Sequence, residues 1–136
     1  MKNFTYKNPA SVEEAVSFLM EPGTVAMGGG TDLLGVLKDG LLPEYPGQVV
    51  NLKNIPGLNR IEEQEDGLHI GAAATLRDVA DSPVVGSRWP ALQTAAKSVA
   101  TPNLRNTATV AGNICQDIRC WYYRYCRRYC YYRCCR

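Results

Sequence analysis

The sequence predicts an α+β fold in which a small β-α-β-α-β subdomain, residues 1–54, precedes the start of a second, mainly antiparallel α+β subdomain, residues 55–118. Three observations indicate this organisation. In the first part, short apolar segments alternate with segments of helical apolar spacing, as in a mostly parallel sheet. After Pro56-Gly57, two strand-like segments flank a polar turn, which indicates a hairpin. The hydrophobic fraction of 46% is sufficient for a packed core.

The first subdomain is predicted to contain five elements. In chain order they are a strand at 4–6, a helix at 12–20, a strand at 24–26, a helix at 33–39 and a strand at 48–52. Ser11 precedes two glutamates, which is typical of a helix N-terminus. Gly23 and Gly40 follow the two predicted helices, where glycine commonly ends a helix.

The second subdomain is predicted to combine a hairpin with helices. In chain order we expect a hairpin of residues 59–63 and 68–72, a helix at 75–80, a helix at 90–99, and a strand end or tight turn at a ligand within 107–114. Thr75 and Asp78 form a capping-box pattern, with Asp in the usual place of Glu or Gln. Pro90 occupies a first-turn position that tolerates proline.

A glycine-rich loop between the second strand and the second helix is the most informative motif. Its residues are Ala26, Met27, Gly28, Gly29, Gly30, Thr31, Asp32 and Leu33. Consecutive glycines allow a close approach to the backbone, and their exposed N–H groups suit a phosphate or diphosphate. Thr31-Asp32 is predicted to cap the helix behind the loop, whose dipole favours the same anion. The motif is neither a Walker A loop nor a Rossmann fingerprint, and a tight turn without a ligand is the alternative.

Charge and cysteine are both concentrated at the end of the chain. The net charge is +2, but residues 1–118 hold all 13 acidic residues, whereas residues 119–136 hold six arginines and no acid. All six cysteines occur at or after position 115, which favours a metal or iron–sulfur site or an irregular terminus over a disulfide-stapled domain. No apolar segment approaches the roughly 20 residues of a membrane span. The first residues lack an apolar export signal, so a cytoplasmic protein is expected.

No residue of the chain is assigned as a catalytic acid or base. His69, the only histidine, alternates with apolar residues in a predicted strand and is expected to face solvent. Asp32 is interpreted as loop structure or as a contact to a ribose hydroxyl. No Ser/His/Asp or Cys/His combination indicates a hydrolase.

Four ordered motifs carry a resemblance to a known family. They are Phe4–Pro9 with Glu13–Val16, the glycine loop at Gly28–Leu34, Ile70–Ala72 with Thr75-Leu76, and Arg105–Cys115. Together they resemble the FAD-binding subunit of molybdenum hydroxylases, the family of xanthine dehydrogenase, carbon monoxide dehydrogenase and 4-hydroxybenzoyl-CoA reductase. The resemblance covers roughly residues 3–124. Ala111 departs from it, because the family more often has a second glycine there.

The resemblance implies an electron-transfer flavoprotein with FAD bound between the two subdomains. Partner subunits of a hetero-oligomer would carry the molybdenum cofactor and a [2Fe-2S] cluster. The glycine loop, residues 26–33, would wrap the pyrophosphate, while Thr109, Gly112 and Asn113 would contact the flavin or its ribityl–phosphate side. The family continues with more sheet and a further domain, so the resemblance also implies an N-terminal fragment.

Residues 115–124 resemble the branch of this family that carries an extra [4Fe-4S] cluster. Cys120 would be its first ligand, and Cys126, Cys130 and Cys134 or Cys135 would complete the set, although their spacing fits no ferredoxin pattern. A truncated or incorrectly determined terminus is the preferred explanation of residues 119–136.

Two other functions are compatible with the C-terminal tail, residues 119–136. Its interleaved Tyr and Arg residues could bind single-stranded nucleic acid, or its cysteines could form a small iron–sulfur or zinc site. Because all the acidic residues lie within residues 1–118, we rank nucleic-acid binding well below flavin binding.

Overall fold

The computed structural model describes residues 1–120 and 122–124, and its elements confirm the α+β class. The strands and helices in this part of the chain are β1 Thr5–Lys7, α1 Val12–Leu19, β2 Thr24–Met27, α2 Leu33–Asp39, β3 Gln48–Asn51, β4 Ile61–Gln64, β5 Gly67–Ile70, α3 Leu76–Asp81, α4 Pro83–Arg88, α5 Pro90–Ser98, α6 Pro102–Arg105 and α7 Val110–Ile114. Within these ranges, no helix has both the length and the apolar character needed to cross a membrane.

The elements from β1 to β3 have the predicted β-α-β-α-β order and form a three-stranded parallel sheet of order β1-β3-β2. Strand β3 is central, and its Val49 and Val50 are completely buried. Ala15 of α1 packs against Val50 and Ile55 to form the core on one side of the sheet. Burying a valine side chain contributes about 1.5–3 kcal/mol, so this central strand is a main source of stability.

Three of the predicted helix-capping signals form in the structure. The Ser11 hydroxyl accepts from the Glu14 N–H at 3.2 Å at the start of α1. Gly40 ends α2 in the left-handed conformation, with φ of +61°. The capping box of α3 is complete, because Thr75 and Asp78 each accept from the other's backbone N–H.

The glycine loop begins where β2 ends at the carboxyl edge of the sheet. The Leu52 N–H donates to the Met27 carbonyl at 2.9 Å, so the pairing of β2 with β3 continues to the start of the glycine loop. Carboxyl edges of parallel strands are common ligand-binding positions, because loops there leave the sheet with free backbone groups. The fold therefore places the motif at a suitable position for a ligand.

The second subdomain contains the predicted hairpin and a group of short helices. Strands β4 and β5 pair antiparallel, with Ile61 opposite Ile70. Helices α3, α4 and α5 form a core of four buried residues: Val79, Ala80, Val85 and Ala96. Helices α4 and α6 are additional to those predicted from the sequence. Both begin with proline after a residue whose hydroxyl caps the helix, Ser82 and Thr101 respectively.

The segment 107–114 differs from the strand end or tight turn that we predicted. Its extended character is limited to an isolated bridge between Thr75 and Thr109. Helix α7 begins directly afterwards, because the Thr109 side chain accepts from the Gly112 N–H at 3.1 Å and so caps the helix.

Candidate functional site

The glycine loop at residues 26–33 (the first glycine motif, or first loop) and the segment 105–115 around Gly112 (the second glycine motif, or second loop) meet in one cleft. The cleft has a volume of about 420 Å³, within the usual range for small-molecule sites. All eight residues predicted from the first motif line this cleft: Ala26, Met27, Gly28, Gly29, Gly30, Thr31, Asp32 and Leu33. Thr109 and Gly112 of the second motif line it as well. Residues separated by some eighty positions in the chain therefore face the same space.

The first loop approaches the second so closely that neither Gly28 nor Gly29 has room for a side chain. A Cβ atom built on Gly29 would overlap the Thr107 carbonyl oxygen and lie 2.7 Å from its carbonyl carbon. One built on Gly28 would overlap the Thr109 hydroxyl oxygen. These two glycines are thus required by the contact between the loops, and Gly30, with φ of +73°, is required by the turn.

The second loop is held by backbone hydrogen bonds to the segment that precedes and begins α3. The Leu76 N–H donates to the Ala108 carbonyl at 2.9 Å, and the Val110 N–H donates to the Ala74 carbonyl at 2.8 Å. The Ala111 N–H donates to the Ala72 carbonyl at 3.2 Å. Because these bonds lie on both sides of Thr109, they fix its position beside the first loop.

Thr109 and Asn113 occupy different environments. Thr109 is only 1% exposed, and its hydroxyl lies between the Gly112 N–H and the backbone of Gly28. Asn113 lines an adjoining cavity of about 260 Å³, which shares Thr31, Gly112 and Gln116 with the cleft. Asn113 is therefore next to the cleft rather than in its lining.

Asp32 occupies the N-cap position of α2, but the prediction that Thr31-Asp32 caps this helix was wrong for the Asp32 side chain. Its carboxylate makes no capping hydrogen bond. It pairs instead with Arg124 at 2.7 Å and with Arg119 at 3.1 Å. The two guanidinium groups compete successfully with the helix N–H groups because bonds between ionised groups are stronger.

Several residues of the cleft were not identified from the sequence. They are Val36, Leu41, Leu42, Pro43, Cys115, Gln116, Asp117 and Arg124. Residues 115–117 directly follow the second glycine motif, so their proximity to it was a usable signal. The apolar wall at 41–43 carries no motif, and Arg124 is brought into the cleft lining by its contacts with Asp32 and Asp117.

The predicted metal ligands fall largely outside the described part of the chain. Cys115 and Cys120 are both exposed, and neither is in a disulfide. Cys126, Cys130, Cys134 and Cys135 lie outside residues 1–120 and 122–124. Within those ranges, no group of three or more His, Cys, Asp or Glu side chains could hold a metal ion.

His69 is exposed on β5, as predicted, and contacts Asp66 in the turn of the hairpin. The two side chains are joined at 2.8 Å between His69 Nε2 and Asp66 Oδ1. This hydrogen bond is the main cause that lowers the pKa of Asp66 from its ordinary value of 3.8. Neither side chain lines the cleft.

Replacing His69 should raise the pKa of Asp66 in a carboxyl ¹³C NMR titration. A carboxyl group whose pKa is lower in the folded than in the unfolded state stabilises the fold at pH values above the pKa of the unfolded state. This stabilisation is lost as the pH falls through the pKa of the folded state. We expect His69→Ala to return the Asp66 midpoint toward 3.8, whereas His69→Gln, which keeps a donor, should give an intermediate value. An unchanged midpoint in His69→Ala would contradict the assigned hydrogen bond.

The chemistry of the cleft suits the diphosphate and attached groups of a dinucleotide cofactor. Gly28, Gly29 and Gly30 present backbone rather than side chains, which permits close approach of phosphate oxygens. Apolar side chains of Leu33 and Leu41 line another part of the same cleft. Backbone donors combined with an apolar wall are typical of cofactor sites.

Comparison with known proteins identifies a family for most of the chain. Residues 2–119 match the family described as the FAD binding domain in molybdopterin dehydrogenase. The carbon monoxide dehydrogenase medium chain of Hydrogenophaga pseudoflava is 38% identical over 113 residues, which are 82% of this chain and 39% of that protein. The nicotinate dehydrogenase FAD-subunit of Eubacterium barkeri is 34% identical over 119 residues, 84% of this chain and 39% of that protein.

Solved structures agree with the sequence comparison. A carbon monoxide dehydrogenase from Hydrogenophaga pseudoflava, lacking the Mo-pyranopterin moiety of its cofactor, superposes with a TM-score of 0.77 at 36% identity over 83% of this chain and 39% of that chain. Quinoline 2-oxidoreductase from Pseudomonas putida 86 gives a TM-score of 0.77 at 31% identity, over 82% and 40%. The chain thus spans about two fifths of the relatives it matches.

Neither a nucleic-acid-binding module nor a small metal protein is supported by these comparisons. The resemblance inferred from the four motifs is confirmed by the family match and by the relatives. The chain belongs to the family of FAD-binding domains of molybdopterin dehydrogenases.

Proposed function

We propose that this chain binds FAD in the cleft between its two glycine motifs and serves as the flavoprotein part of a molybdenum hydroxylase. In that role it passes electrons between iron–sulfur clusters and an external acceptor. The observation that carries the proposal is the shared lining of one cleft by the first loop and by Thr109 and Gly112.

Each motif has a distinct proposed role toward the cofactor. Residues 26–33 hold the pyrophosphate through backbone N–H groups. Thr109 and Gly112 contact the flavin or its ribityl–phosphate side from the cleft lining, and Asn113 does so from the adjoining cavity. FAD, when bound, supplies the electron-transfer chemistry. The residues of this chain bind and orient it, and Leu33 and Leu41 exclude water from one side of the cleft.

The proposed partners are a subunit with the molybdenum cofactor and a subunit with a [2Fe-2S] cluster. The names of the relatives as medium chain or FAD-subunit support a hetero-oligomer. We also propose a cytoplasmic location, since the exposed free thiols Cys115 and Cys120 suit a reducing compartment.

We also propose a [4Fe-4S] cluster whose first ligand is Cys120. Cys120 lies between Arg119 and Arg124, both of which contact the first glycine loop through Asp32, so the cluster would be close to the cleft. Iron and sulfide analysis of anaerobically prepared protein tests this point. If the protein contained no iron, the proposed cluster would be wrong, whereas the proposed flavin site would be unaffected.

Flavin binding by the 136-residue chain is the direct test of the proposed function. We expect reconstitution with FAD to give yellow protein, with flavin absorbance that remains after gel filtration. The released cofactor should be identified as FAD by chromatography. Folded protein, verified by circular dichroism, that stays colourless at high FAD concentration would contradict the proposal.

A further inference from the structure

Two arginines tie the end of the described chain to the first glycine loop. Arg124 Nη2 lies 2.7 Å from Asp32 Oδ1, and Arg119 Nε lies 3.1 Å from the same oxygen. Arg119 Nη2 also donates to the Thr31 carbonyl at 3.3 Å. Cys115, Gln116, Asp117 and Arg124 follow α7 and line the cleft. Arg119 and Arg124 join this part of the chain to the first glycine loop.

Arg124 is held in a single geometry by several contacts. Its side chain is only 12% exposed. Nε donates to the Ile118 carbonyl at 2.9 Å, and Nη2 donates to the Asp117 carbonyl at 3.2 Å as well as to Asp32. A guanidinium group that is mostly buried needs such partners, and here they fix it in the cleft lining.

The charges of the cleft explain what this arrangement does. Asp32 and Asp117 both line the cleft, and a diphosphate brings further negative charge into it. An Asp32 carboxylate without its two arginines would repel that diphosphate, because like charges interact strongly where water is partly excluded. Arg119 and Arg124 remove this repulsion by neutralising Asp32.

We propose that Arg124, with Arg119, is a positioning residue that determines how tightly the cleft binds a diphosphate-containing ligand. Arg124 acts through Asp32, whose charge it compensates and whose loop it holds against the part of the cleft lined by Cys115, Gln116 and Asp117. The inference rests on the proposed function, and it extends the cofactor site beyond the family-matched residues 2–119.

A double-mutant cycle with two flavins tests the proposal on the full chain. Arg124→Gln should weaken FAD binding about tenfold and leave the binding of riboflavin, which has no phosphate, unchanged. Adding Asp32→Asn to Arg124→Gln should restore most of the FAD affinity, because it removes the carboxylate that Arg119 alone would then have to compensate. The tenfold difference should shrink at high salt.

Arg77→Gln is the matched control. Arg77 pairs with Asp81 on α3, where both side chains are 52% exposed and outside the cleft lining. This variant loses one arginine and one ion pair, as Arg124→Gln does, and should bind FAD like the wild type. Equal weakening of FAD and riboflavin by Arg124→Gln, or no recovery with Asp32→Asn, would overturn the proposal in favour of a purely structural role.

The binding of inorganic diphosphate distinguishes a failure of this inference from a failure of the proposed function. Wild-type protein that binds FAD with an affinity unaffected by Arg124→Gln overturns the inference alone. Wild-type protein that binds no flavin, but binds diphosphate in an Arg124-dependent manner, overturns the flavin function and retains the inference. Protein that binds neither FAD nor diphosphate overturns both.

Discussion

Gly29→Ala is expected to weaken FAD binding by about 10- to 100-fold. The added Cβ would overlap the Thr107 carbonyl oxygen and lie 3.0 Å from the Ala108 Cα, so both obstacles are backbone and cannot rotate aside. The free protein can relieve the overlap by separating the two loops. Bringing them together around the cofactor then costs about 1–3 kcal/mol, which corresponds to the stated loss. Flavin fluorescence titration measures it.

Gly35→Ala is the control for this substitution. Gly35 lies two residues into α2, and a Cβ there meets no atom within 4 Å. Alanine in a helix interior is more favourable than glycine by about 0.5–1 kcal/mol, so the control should be slightly stabilised and should bind FAD normally. Wild-type FAD affinity in folded Gly29→Ala would show that the contact between the loops is not needed for binding.

The first subdomain was predictable because its signals are local. Ser11 and Gly40 mark helix ends through hydrogen bonds and backbone angles that involve only their neighbours. The same is true of the capping box at Thr75. Segment 110–114 was harder, because its β-branched residues favour a strand and only the Thr109 cap reveals the short helix.

The candidate site was predictable only in part, because its contacts join segments that are far apart in the chain. Each glycine motif can be recognised separately, but the contact of Gly29 with Thr107 joins distant segments and is not encoded in either motif. The Asp32–Arg124 pair spans 92 residues. Asp32 before a helix has the local pattern of a cap, and the arginines that change its role are visible only in the folded chain.

A third glycine, Gly71, controls the position of the second loop, and Gly71→Ala should be the most destabilising of these substitutions. Its Cβ would overlap the Leu58 carbonyl group and lie 3.0 Å from the Asn59 nitrogen. The Gly71 N–H donates to the Arg60 carbonyl at 2.8 Å, so the strand cannot move away without losing this bond. We expect a loss of about 3 kcal/mol, at the upper end for overpacking, and a Tm lower by roughly 10 °C.

The same substitution should also weaken FAD binding, since Ala72 and Ala74 accept the hydrogen bonds that hold the second loop. Gly47→Ala is the control, because a Cβ at Gly47 meets nothing within 4 Å and its φ is not positive. Its stability should remain within about 0.5 kcal/mol of the wild type. Thermal unfolding followed by circular dichroism gives both values. Equal Tm values for Gly71→Ala and Gly47→Ala would mean that the approach of Gly71 to Leu58 does not constrain the fold.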